Sequence, residues 1–440
     1  MSTGVNWPFR SAPGSPVIER AAGNYLIEPG GRQILDAAGG AIVANVGHGR
    51  ERVARAIYEA SKDTTYVVPP WVTPGRARMV ESLERDWLPA HLSRIHVTSG
   101  GSEAVESALK LAVMYHAASG RPEKHKILSR TISYHGTTIV AATVSGHPAR
   151  KAGIAHALHE NPKAQTPYPL RCPLGRHHPD AGQYYLDDLR ALIEAEGPET
   201  IAAFIAEPVS GASGCAITPP DDYWPGVARL CREHDILLIN DEVMTGFGRC
   251  GRPFGHQLWG IEPDILIGGK GLAGGYAPLG LVATSEAIGQ AIEAAGYQVM
   301  FHTFGAHPAA CAAAAEVLDI MVEEDLITAA ERQGEALQSA LSERLGQHPH
   351  VAEVRGAGLL RGIEVVADRD TLEPFPLEAG VTNCIVQEAL DRDVFVYGGG
   401  TGEVRDMVLL GPAFTVSDGE IDQIAEALEG AIDATIAAVA

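Results

Sequence analysis

Short apolar runs alternate with longer amphipathic stretches through the middle of the chain. Each run is rich in aliphatic and β-branched residues and is bounded by polar residues or glycine, which is typical of a buried strand. The stretch "SEAVESALKLAVMYHAAS" has apolar residues at i, i+3, i+4 and i+7 and therefore predicts a helix. Strands that alternate with helices build a mostly parallel sheet covered on both faces, the architecture of α/β proteins. The strands predicted in this way are "SRIHVTSG", "KILSR", "IAAFIAEP", "ILLINDEV" and "DILIGGKG".

The pattern changes toward both ends of the chain. Beyond about residue 315, a long helical stretch leads into the apolar runs "LLRGIEVV", "VFVYGG" and "MVLLGPAF" and then into a closing helix. Near the N-terminus, "YLIEPGGRQILDAAGG" predicts two short strands around a Pro-Gly-Gly turn. We therefore predict an N-terminal segment over 1–64 that forms part of a smaller α+β domain, a large domain over 65–315, and the C-terminal part of the small domain over 316–440.

The charge balance argues against several classes of partner. The 440 residues include 34 Lys and Arg against 55 Asp and Glu, a net charge of −21, whereas nucleic acids and anionic membranes bind basic surfaces. No apolar stretch approaches the roughly 20 residues of a membrane span, and the first residues lack the apolar core of a secretory signal.

The six cysteines are scattered without paired spacing, which suits a reducing cytoplasm. The segment "CPLGRHHPD" brings Cys172 close to two histidines. Its prolines favour a loop and no second pair of ligands is in sight, so we predict a cytoplasmic protein without a metal site.

Three ionisable residues fall where predicted strands end. Glu207 ends "IAAFIAEP", Asp241 lies at the end of "ILLINDEV", and Lys270 follows "DILIGG". Ligands of open α/β sheets gather at the carboxyl ends of the strands. A buried charge is costly unless it is paired, so an internal ion pair is the structural explanation for any one of them. Three such residues in one sheet point instead to a functional site.

A glycine-rich turn adds a candidate anion site. The segment "HVTSGGSEAVESALK" predicts a strand, a turn at Gly100 and Gly101, and a helix whose N-terminus offers free amides and a partial positive charge to a phosphate. Alternatively, Ser102 is simply the N-cap of that helix. A nucleotide loop of the Walker type fits poorly because Gly271, not Ser or Thr, follows Lys270, and the dinucleotide motif G-x-G-x-x-G is missing.

A phosphate cradle, a strand-end carboxylate and an isolated lysine together suit pyridoxal 5′-phosphate. Lys270 stands alone in "GGKGLAGGYAPLG", where glycines and apolar neighbours would desolvate its amine and lower its pKa. Such an amine forms a Schiff base with the aldehyde of the cofactor, while a carboxylate keeps the pyridine nitrogen protonated so that the ring acts as an electron sink.

At these residues the sequence resembles the class III aminotransferases, which belong to the fold-type I enzymes that use pyridoxal 5′-phosphate. The resemblance runs in family order from about residue 20 to the end of the chain. It implies a large domain with a mostly parallel central sheet, a smaller α+β domain, and homodimers, or tetramers built from them, with shared active sites. The motifs that carry it are "TSGGSEAVESALKLA", "SYHGTT", "AEPVSGASG", "INDEVMTGFGR", "ILIGGKGLAGGYAPLG" and "HTFGAHPAACAAA".

The resemblance also implies a role for individual residues. Lys270 would bind the cofactor covalently and then carry the proton between the substrate carbon and the cofactor. Asp241 would bond the pyridinium nitrogen, with Glu207 hydrogen-bonded behind it. Val243 would support one face of the ring and Tyr134 would stack on the other.

The remaining cofactor contacts come from three other segments. Gly101 and Ser102 would bind the phosphate, and Thr303 would complete that site from the other subunit. His135 is either a further cofactor contact or a residue that makes local hydrogen bonds. Tyr134 and His135 both belong to the quoted "SYHGTT" motif.

Departures from the family pattern narrow the subgroup. Ornithine- and 4-aminobutyrate-type members carry a glutamate where this chain has Ala212, so the sequence resembles the ω-amino acid/amine:pyruvate group instead. Members of that group often have a tryptophan where this chain has Ile42, and losing the indole changes the pocket size and removes a stacking surface. Taurine-like compounds, β-amino acids and aliphatic amines are therefore the expected donors.

Two further residues are candidates for the substrate pocket. Arg405 is a candidate to bind the carboxylate of the acceptor, since arginine binds carboxylates in a bidentate manner; a surface ion pair with Asp406 or Glu403 is the alternative. Trp71 either lines the donor pocket or packs in a subunit interface.

These residues predict an aminotransferase that moves an amino group from an ω-amino acid or amine to a 2-oxo acid, with pyruvate as the expected acceptor, in two half-reactions with ping-pong kinetics. One rival keeps the cofactor but changes the reaction to that of an epimerase, decarboxylase or lyase, because one fold hosts many chemistries. A requirement for a 2-oxo acid separates these two. The other rival is a non-catalytic or nucleotide-binding protein, which would lack the yellow colour of the cofactor.

Overall fold

The computed structural model describes residues 15–159 and 161–439, and within them it contains three β-sheets. The strands are β1 (Arg20–Ala22), β2 (Tyr25–Ile27), β3 (Gln33–Asp36), β4 (Arg94–Thr98), β5 (Lys126–Arg130), β6 (Lys163–Ala164), β7 (Ile201–Ala206), β8 (Leu237–Asp241), β9 (Ile265–Gly268), β10 (Gly280–Thr284), β11 (Val351–Ala357), β12 (Leu360–Val365), β13 (Val394–Phe395), β14 (Tyr397–Thr401) and β15 (Val404–Leu410). The helices are α1 (Gly39–Ile42), α2 (Glu51–Asp63), α3 (Pro74–Ser82), α4 (Gly101–Ala118), α5 (Ile139–Val144), α6 (Pro148–Lys151), α7 (Ala181–Glu196), α8 (Tyr223–Glu233), α9 (Glu286–Ala294), α10 (Pro308–Glu323), α11 (Leu326–Leu345), α12 (Val381–Asp391) and α13 (Asp418–Val439).

The central sheet has seven strands in the order β4-β10-β9-β8-β7-β5-β6. Strands β6, β5, β7, β8 and β9 run parallel, and β10 is antiparallel to both of its neighbours. The predicted α/β class with a mostly parallel sheet is confirmed, and all five predicted strands form. Strand β10, a short apolar strand that follows the lysine loop, was not predicted from the sequence.

The middle strands are buried on both faces, as their unbroken apolar sequence requires. In β7, Ile205 packs in a cluster with residues of α4, while Phe204 faces a second cluster that includes Leu189 of α7 and Val227 of α8. Successive residues of one strand therefore serve opposite faces of the sheet. Since burying one such side chain contributes about 1.5–3 kcal/mol, these two layers hold the sheet edge in place.

The N-terminal strands join the C-terminal part of the chain. Strand β3 pairs in parallel with β13, Leu35 opposite Val394, in the four-stranded sheet β1-β2-β3-β13. The predicted strands around the Pro-Gly-Gly turn are β2 and β3, which pair in antiparallel fashion. A third sheet, β11-β12-β15-β14, is antiparallel and packs with α11 and α12.

The described part of the chain contains no helix that is long and apolar enough to cross a membrane. Its six cysteines are free thiols. In the "CPLGRHHPD" segment, His177 lies 3.3 Å from Glu353 and His178 lies 3.8 Å from Asp180. Across residues 15–159 and 161–439, no three His, Cys, Asp or Glu side chains converge in an arrangement that could hold a metal ion.

Candidate active site

The carboxyl edge of the central sheet brings three ionisable side chains into one cavity. Glu207 directly follows β7, Asp241 is the last residue of β8, and Lys270 lies two residues beyond β9. Because these three strands are adjacent and parallel, their carboxyl ends meet. All three residues line a cavity of about 190 Å³, together with Gly101, Ser102, Tyr134, His135, Gly136, Val243 and Met244.

The backbone around Lys270 is held in an unusual conformation. Lys270 has a φ of 42°, in the left-handed region that non-glycine residues rarely adopt. Asn45 clamps this turn, since its side-chain amide donates to the carbonyls of Phe247 and Gly271 at 3.2 and 3.1 Å. A Cβ at Gly271 would lie 2.9 Å from Asn45 Nδ2, so only glycine permits this approach. Gly271, directly after the lysine, therefore serves tight packing of the loop.

The Lys270 amine is set up to react. The side chain is partly buried, and its Nζ donates no hydrogen bond to any residue within 15–159 or 161–439. Burial lowers the pKa of Lys270, and the charge of Arg150 lowers it further, while Asp241 and Glu207 oppose the shift. A lowered pKa increases the fraction of neutral amine, which is the nucleophilic form.

Asp241 is held by His135. The Nδ1 of His135 lies 2.7 Å from Asp241 Oδ2, and both side chains are buried. The amide of Val243 donates to Oδ1 at 3.1 Å, and the His135 amide donates to Ser145 Oγ at 2.8 Å. Glu207 was expected to be hydrogen-bonded behind Asp241, but within the described residues no hydrogen bond joins these two carboxylates. The partner that orients Asp241 in the structure is His135.

Glu207 holds the backbone of the neighbouring loops. Its Oε1 accepts from the Gly211 amide at 2.8 Å and its Oε2 from the Tyr134 amide at 3.2 Å. Burial raises the pKa of Glu207. The buried Arg130 donates to the backbone carbonyl of Glu207. Glu207 therefore ties Tyr134 to the carboxyl end of β7.

The N-terminus of α4 forms the other end of the cavity. The N-cap of this helix is Gly100, which makes no side-chain cap, so Ser102 is not the N-cap. Ser102 Oγ accepts from the Thr137 amide at 3.1 Å, and a Cβ at Gly136 would lie 2.6 Å from that oxygen. A Cβ at Gly101 would lie 3.1 Å from Val243. First-turn amides of an 18-residue helix are available to an anion here.

This set of groups fits pyridoxal 5′-phosphate. Free helix amides and the Ser102 hydroxyl suit a phosphate, the buried Asp241 suits a protonated ring nitrogen, and the Lys270 amine, which has no hydrogen bond within the described residues, suits an aldehyde. Tyr134 and Val243 line the same cavity. Apart from Thr303, the residues that the resemblance assigns to the ring and the phosphate therefore surround one space.

Four predicted residues do not line this cavity. Thr303 is exposed in the turn before α10, and Trp71, in the loop before α3, is 67% exposed. Ile42 is buried with a φ of 60°, in an apolar cluster that also contains Val209 and Met244. Arg405 donates to the carbonyl of Phe375 at 2.8 Å.

The alternative for Arg405 was an ion pair, and the described residues place neither Asp406 nor Glu403 in one with it. Asp406 accepts instead from the Phe375 amide at 2.9 Å. Arg405 and Asp406 therefore hold the same short segment of backbone.

Three residues at or beside the cavity were not predicted from the sequence. Gly136 and Met244 line it, and the guanidinium of Arg150 lies over Tyr134. Gly136 lay inside a quoted motif, so its φ of 134° could have been suspected. No local signal marks Arg150, because only the return of the chain from β5 through α5 brings it to the site.

The family model of class III aminotransferases matches residues 10–432. The uncharacterized aminotransferase YodT of Bacillus subtilis (strain 168) is 37% identical over 414 residues, which cover 93% of this chain and 93% of that protein. The mitochondrial gamma-aminobutyrate transaminase 1 of Oryza sativa subsp. indica is 32% identical over 434 residues, 95% of this chain and 81% of that protein.

A solved structure extends the likeness to the fold. An amine transaminase from an uncultivated Pseudomonas species, in its PLP-bound form, superposes with a TM-score of 0.91 at 35% identity and covers 99% of both chains. The similarity therefore spans the N-terminal strands, the central sheet and the C-terminal part alike.

Proposed function

Because the chain belongs to the class III aminotransferases, whose cofactor is pyridoxal 5′-phosphate, we propose that it moves an amino group from an ω-amino acid or amine to a 2-oxo acid, with pyruvate as the acceptor. The observation that carries this proposal is the cavity that joins the amine of Lys270 to Asp241 and the N-terminus of α4. A relative named for gamma-aminobutyrate and a neighbour described as an amine transaminase support these donor classes.

The cofactor, when bound, supplies an aldehyde carbon that exchanges amino groups and a ring that withdraws electrons. Lys270 would bind that carbon at rest and, once released, its neutral Nζ would take a proton from one carbon and return it to another. Asp241, held by His135, would keep the ring nitrogen protonated. Gly101 and Ser102 would hold the phosphate, and Val243 and Tyr134 would confine the ring.

The donor preference rests on two side chains. Ala212 provides no carboxylate to engage an arginine, and its carbonyl accepts from the Gly400 amide at 2.8 Å. Ile42 stands where related enzymes often carry an indole; it is buried outside the cavity and fixed by close packing, since a Cβ at Gly411 would lie 2.7 Å from its Cδ1, so it presents no indole surface to a donor. We therefore propose taurine-like compounds, β-amino acids and aliphatic amines as donors.

The proposal is tested by separating the two half-reactions. We expect the visible absorbance of the bound cofactor to change when a donor is added alone, to stay changed after the excess donor has been removed, and to return when pyruvate is then added. Alanine should then appear in an amount equal to the enzyme active sites. The panel of donors would be one taurine-like compound, one β-amino acid and one aliphatic amine. Lys62→Ala would serve as the control variant, since the Lys62 side chain is exposed and pairs with Glu59.

A different outcome would identify a different reaction. Continuous turnover of an amine without any 2-oxo acid would contradict aminotransfer and indicate an epimerase, decarboxylase or lyase. Failure to bind added pyridoxal 5′-phosphate would contradict the assignment of Lys270 and Asp241.

We also propose that the active site is completed in a homodimer. Thr303 lies outside the cavity of its own chain, on a surface with large exposed apolar side chains. Trp71, Val72, Phe301 and Phe304 are 61–69% exposed, and the ring centroids of Tyr66 and Phe304 are 6.4 Å apart. An exposed apolar surface of this kind is typical of a subunit interface. A second copy of the chain is the proposed occupant.

Subunit mixing tests this arrangement. Lys270→Ala and Thr303→Ala homodimers would each be measured alone, then denatured and refolded together. If Thr303 acts across the interface, each mixed dimer has one intact site, and random pairing restores about a quarter of all sites. If both residues act in the same chain, mixing restores nothing beyond the sum of the two variants.

A further inference from the structure

Arg150 stands over the wall of the active-site cavity. Its guanidinium carbon lies 4.9 Å from the centroid of the Tyr134 ring, and Tyr134 lines the cavity with Lys270. A planar guanidinium this close to an aromatic ring gains from the cation–π interaction. The side chain is exposed, so its N–H groups remain accessible to a small ligand.

The segment that carries Arg150 is firmly built. The Gly146 amide donates to the Ser133 carbonyl and hydroxyl at 3.0 and 2.9 Å, and a Cβ at Gly146 would lie 2.3 Å from the Thr131 carbonyl. The buried His147 has its Nδ1 3.0 Å from Thr401 Oγ1. Pro148 then begins α6 with a backbone angle suited to a first helical residue. Arg150 is therefore held in place beside Tyr134.

The charge of Arg150 is not neutralised by the described residues. Within 15–159 and 161–439, its guanidinium has neither an ion-pair partner nor a hydrogen-bond acceptor. By contrast, Arg52 and Arg94 each bind two carboxylates at the surface. The chain as a whole has 55 acidic against 34 basic residues, so carboxylates are in excess over cations.

We infer that Arg150 binds the carboxylate of the 2-oxo acid acceptor, and of any donor that carries one, while the reacting carbon faces Lys270. This inference rests on the proposed function. Arginine suits the role because its N–H groups form two parallel hydrogen bonds to a carboxylate. The other candidate, Arg405, already donates to the Phe375 carbonyl, and no contact joins it to a residue that lines the cavity within 15–159 and 161–439, whereas Arg150 lies over Tyr134.

A specific selectivity follows from this position. A 2-oxo acid gains an ion pair with Arg150, whereas an aldehyde of similar size gains nothing from it. Arg150 is therefore the residue that makes the enzyme prefer 2-oxo acids over simple aldehydes as acceptors.

The test compares two acceptors in a small set of variants. Arg150→Gln removes the charge, whereas Arg150→Lys keeps the charge but loses the paired N–H donors. Arg405→Gln removes the other candidate for binding the carboxylate. Arg229→Gln is the matched control, because Arg229 lies on the exposed side of α8 and only approaches Glu233 at 3.9 Å. KM and kcat would be measured with pyruvate and with propanal, and the affinity of the loaded enzyme for propionate would be measured by calorimetry.

Arg150→Gln should raise the KM for pyruvate by about 10- to 100-fold, the usual cost of losing hydrogen bonds to a charged group, and leave the KM for propanal within about twofold. The affinity for propionate should fall by a similar factor. Arg150→Lys should lie between the wild type and Arg150→Gln, and Arg229→Gln should match the wild type.

Three results would overturn the inference. One is an unchanged KM for pyruvate and unchanged propionate affinity in Arg150→Gln. Another is an equal loss with propanal, which would indicate a structural role only. The third is a selective loss in Arg405→Gln instead. A wild-type enzyme that transfers no amino group to either acceptor would contradict the proposed function itself, and the propionate titration would still decide the role of Arg150.

Discussion

Two adjacent carboxylates at the end of β8 each pair with a buried histidine, but only one of the two faces the active-site cavity. Asp241 lies 2.7 Å from His135 Nδ1, and Glu242 lies 2.9 Å from His256 Nδ1, and all four side chains are buried. Asp241 faces the cavity with Lys270, whereas Glu242 points to the opposite side of the strand end.

The two pairs differ in how completely the carboxylate is satisfied. Glu242 accepts from the amides of Gly255 and His256, both at 2.8 Å, and also from His256 Nδ1 and the Thr245 hydroxyl. Asp241 accepts only from His135 and the Val243 amide within the described chain, which leaves acceptor capacity toward the cavity. A fully bonded carboxylate stabilises the fold, and a partly bonded one is available to a ligand.

The largest effect is expected on the cavity side, from Lys270→Ala. This variant removes both the attachment point and the proton carrier, and proton transfer alone contributes about 10²- to 10⁴-fold, so we expect kcat to fall by about 10³-fold or more. Single-turnover kinetics would measure this. Partial rescue by added methylamine is expected, because a free amine can replace the missing proton carrier. Near-normal turnover without added amine would contradict the role of Lys270.

Asp241→Asn should be the next largest effect. The neutral amide cannot hold the ring nitrogen protonated, so we expect kcat/KM to fall by about 100-fold, which corresponds to about 2.7 kcal/mol. Cofactor affinity, measured by titration of the apoenzyme, should fall as well. The melting temperature of the apoenzyme should change little. A large loss of apoenzyme stability with normal activity would mean that Asp241, like Glu242, stabilises the fold instead of binding a ligand.

Glu242→Gln should have the opposite profile. In this variant the NH₂ group of glutamine would face the N–H and O–H donors that bind Glu242 in the wild type. We therefore expect the free energy of unfolding to fall by about 2–3 kcal/mol. The folded fraction should keep its kcat within about threefold. Urea denaturation at fixed protein concentration, with and without cofactor, would measure the change. A selective loss of activity at unchanged stability would place Glu242 in the chemistry instead.

The smallest effects should come from the histidines. His135→Asn keeps a donor but changes how Asp241 is oriented, so we expect a loss of about 10-fold in kcat/KM at nearly constant stability. His256→Asn should cost about 1–2 kcal/mol of stability and leave kcat/KM nearly unchanged. Parallel measurements on both variants would check this. Equal effects on activity would mean that the two pairs do not differ in function.

Much of the site could be predicted because its signals are local. The alternation of apolar runs and helices predicted β7, β8 and β9, and parallel strands bring their carboxyl ends together, so Glu207, Asp241 and Lys270 were expected at one edge. The glycine turn before α4 was equally visible. Whether Ser102 is the N-cap of α4 was harder to predict, because the choice of N-cap depends on backbone angles. In the structure the extended Gly100 takes that position.

The sequence by itself determined the α/β class, the strand-end residues and the family, because periodicity and motif spacing act over a few neighbouring residues. Only the tertiary structure decided that His135 rather than Glu207 bonds Asp241, that Arg405 is engaged by Phe375, and that Arg150 stands over Tyr134. Those contacts join residues far apart in the chain, up to 106 positions for His135 and Asp241. Their geometry depends on how loops close over a packed sheet, and side-chain patterning does not encode that closure.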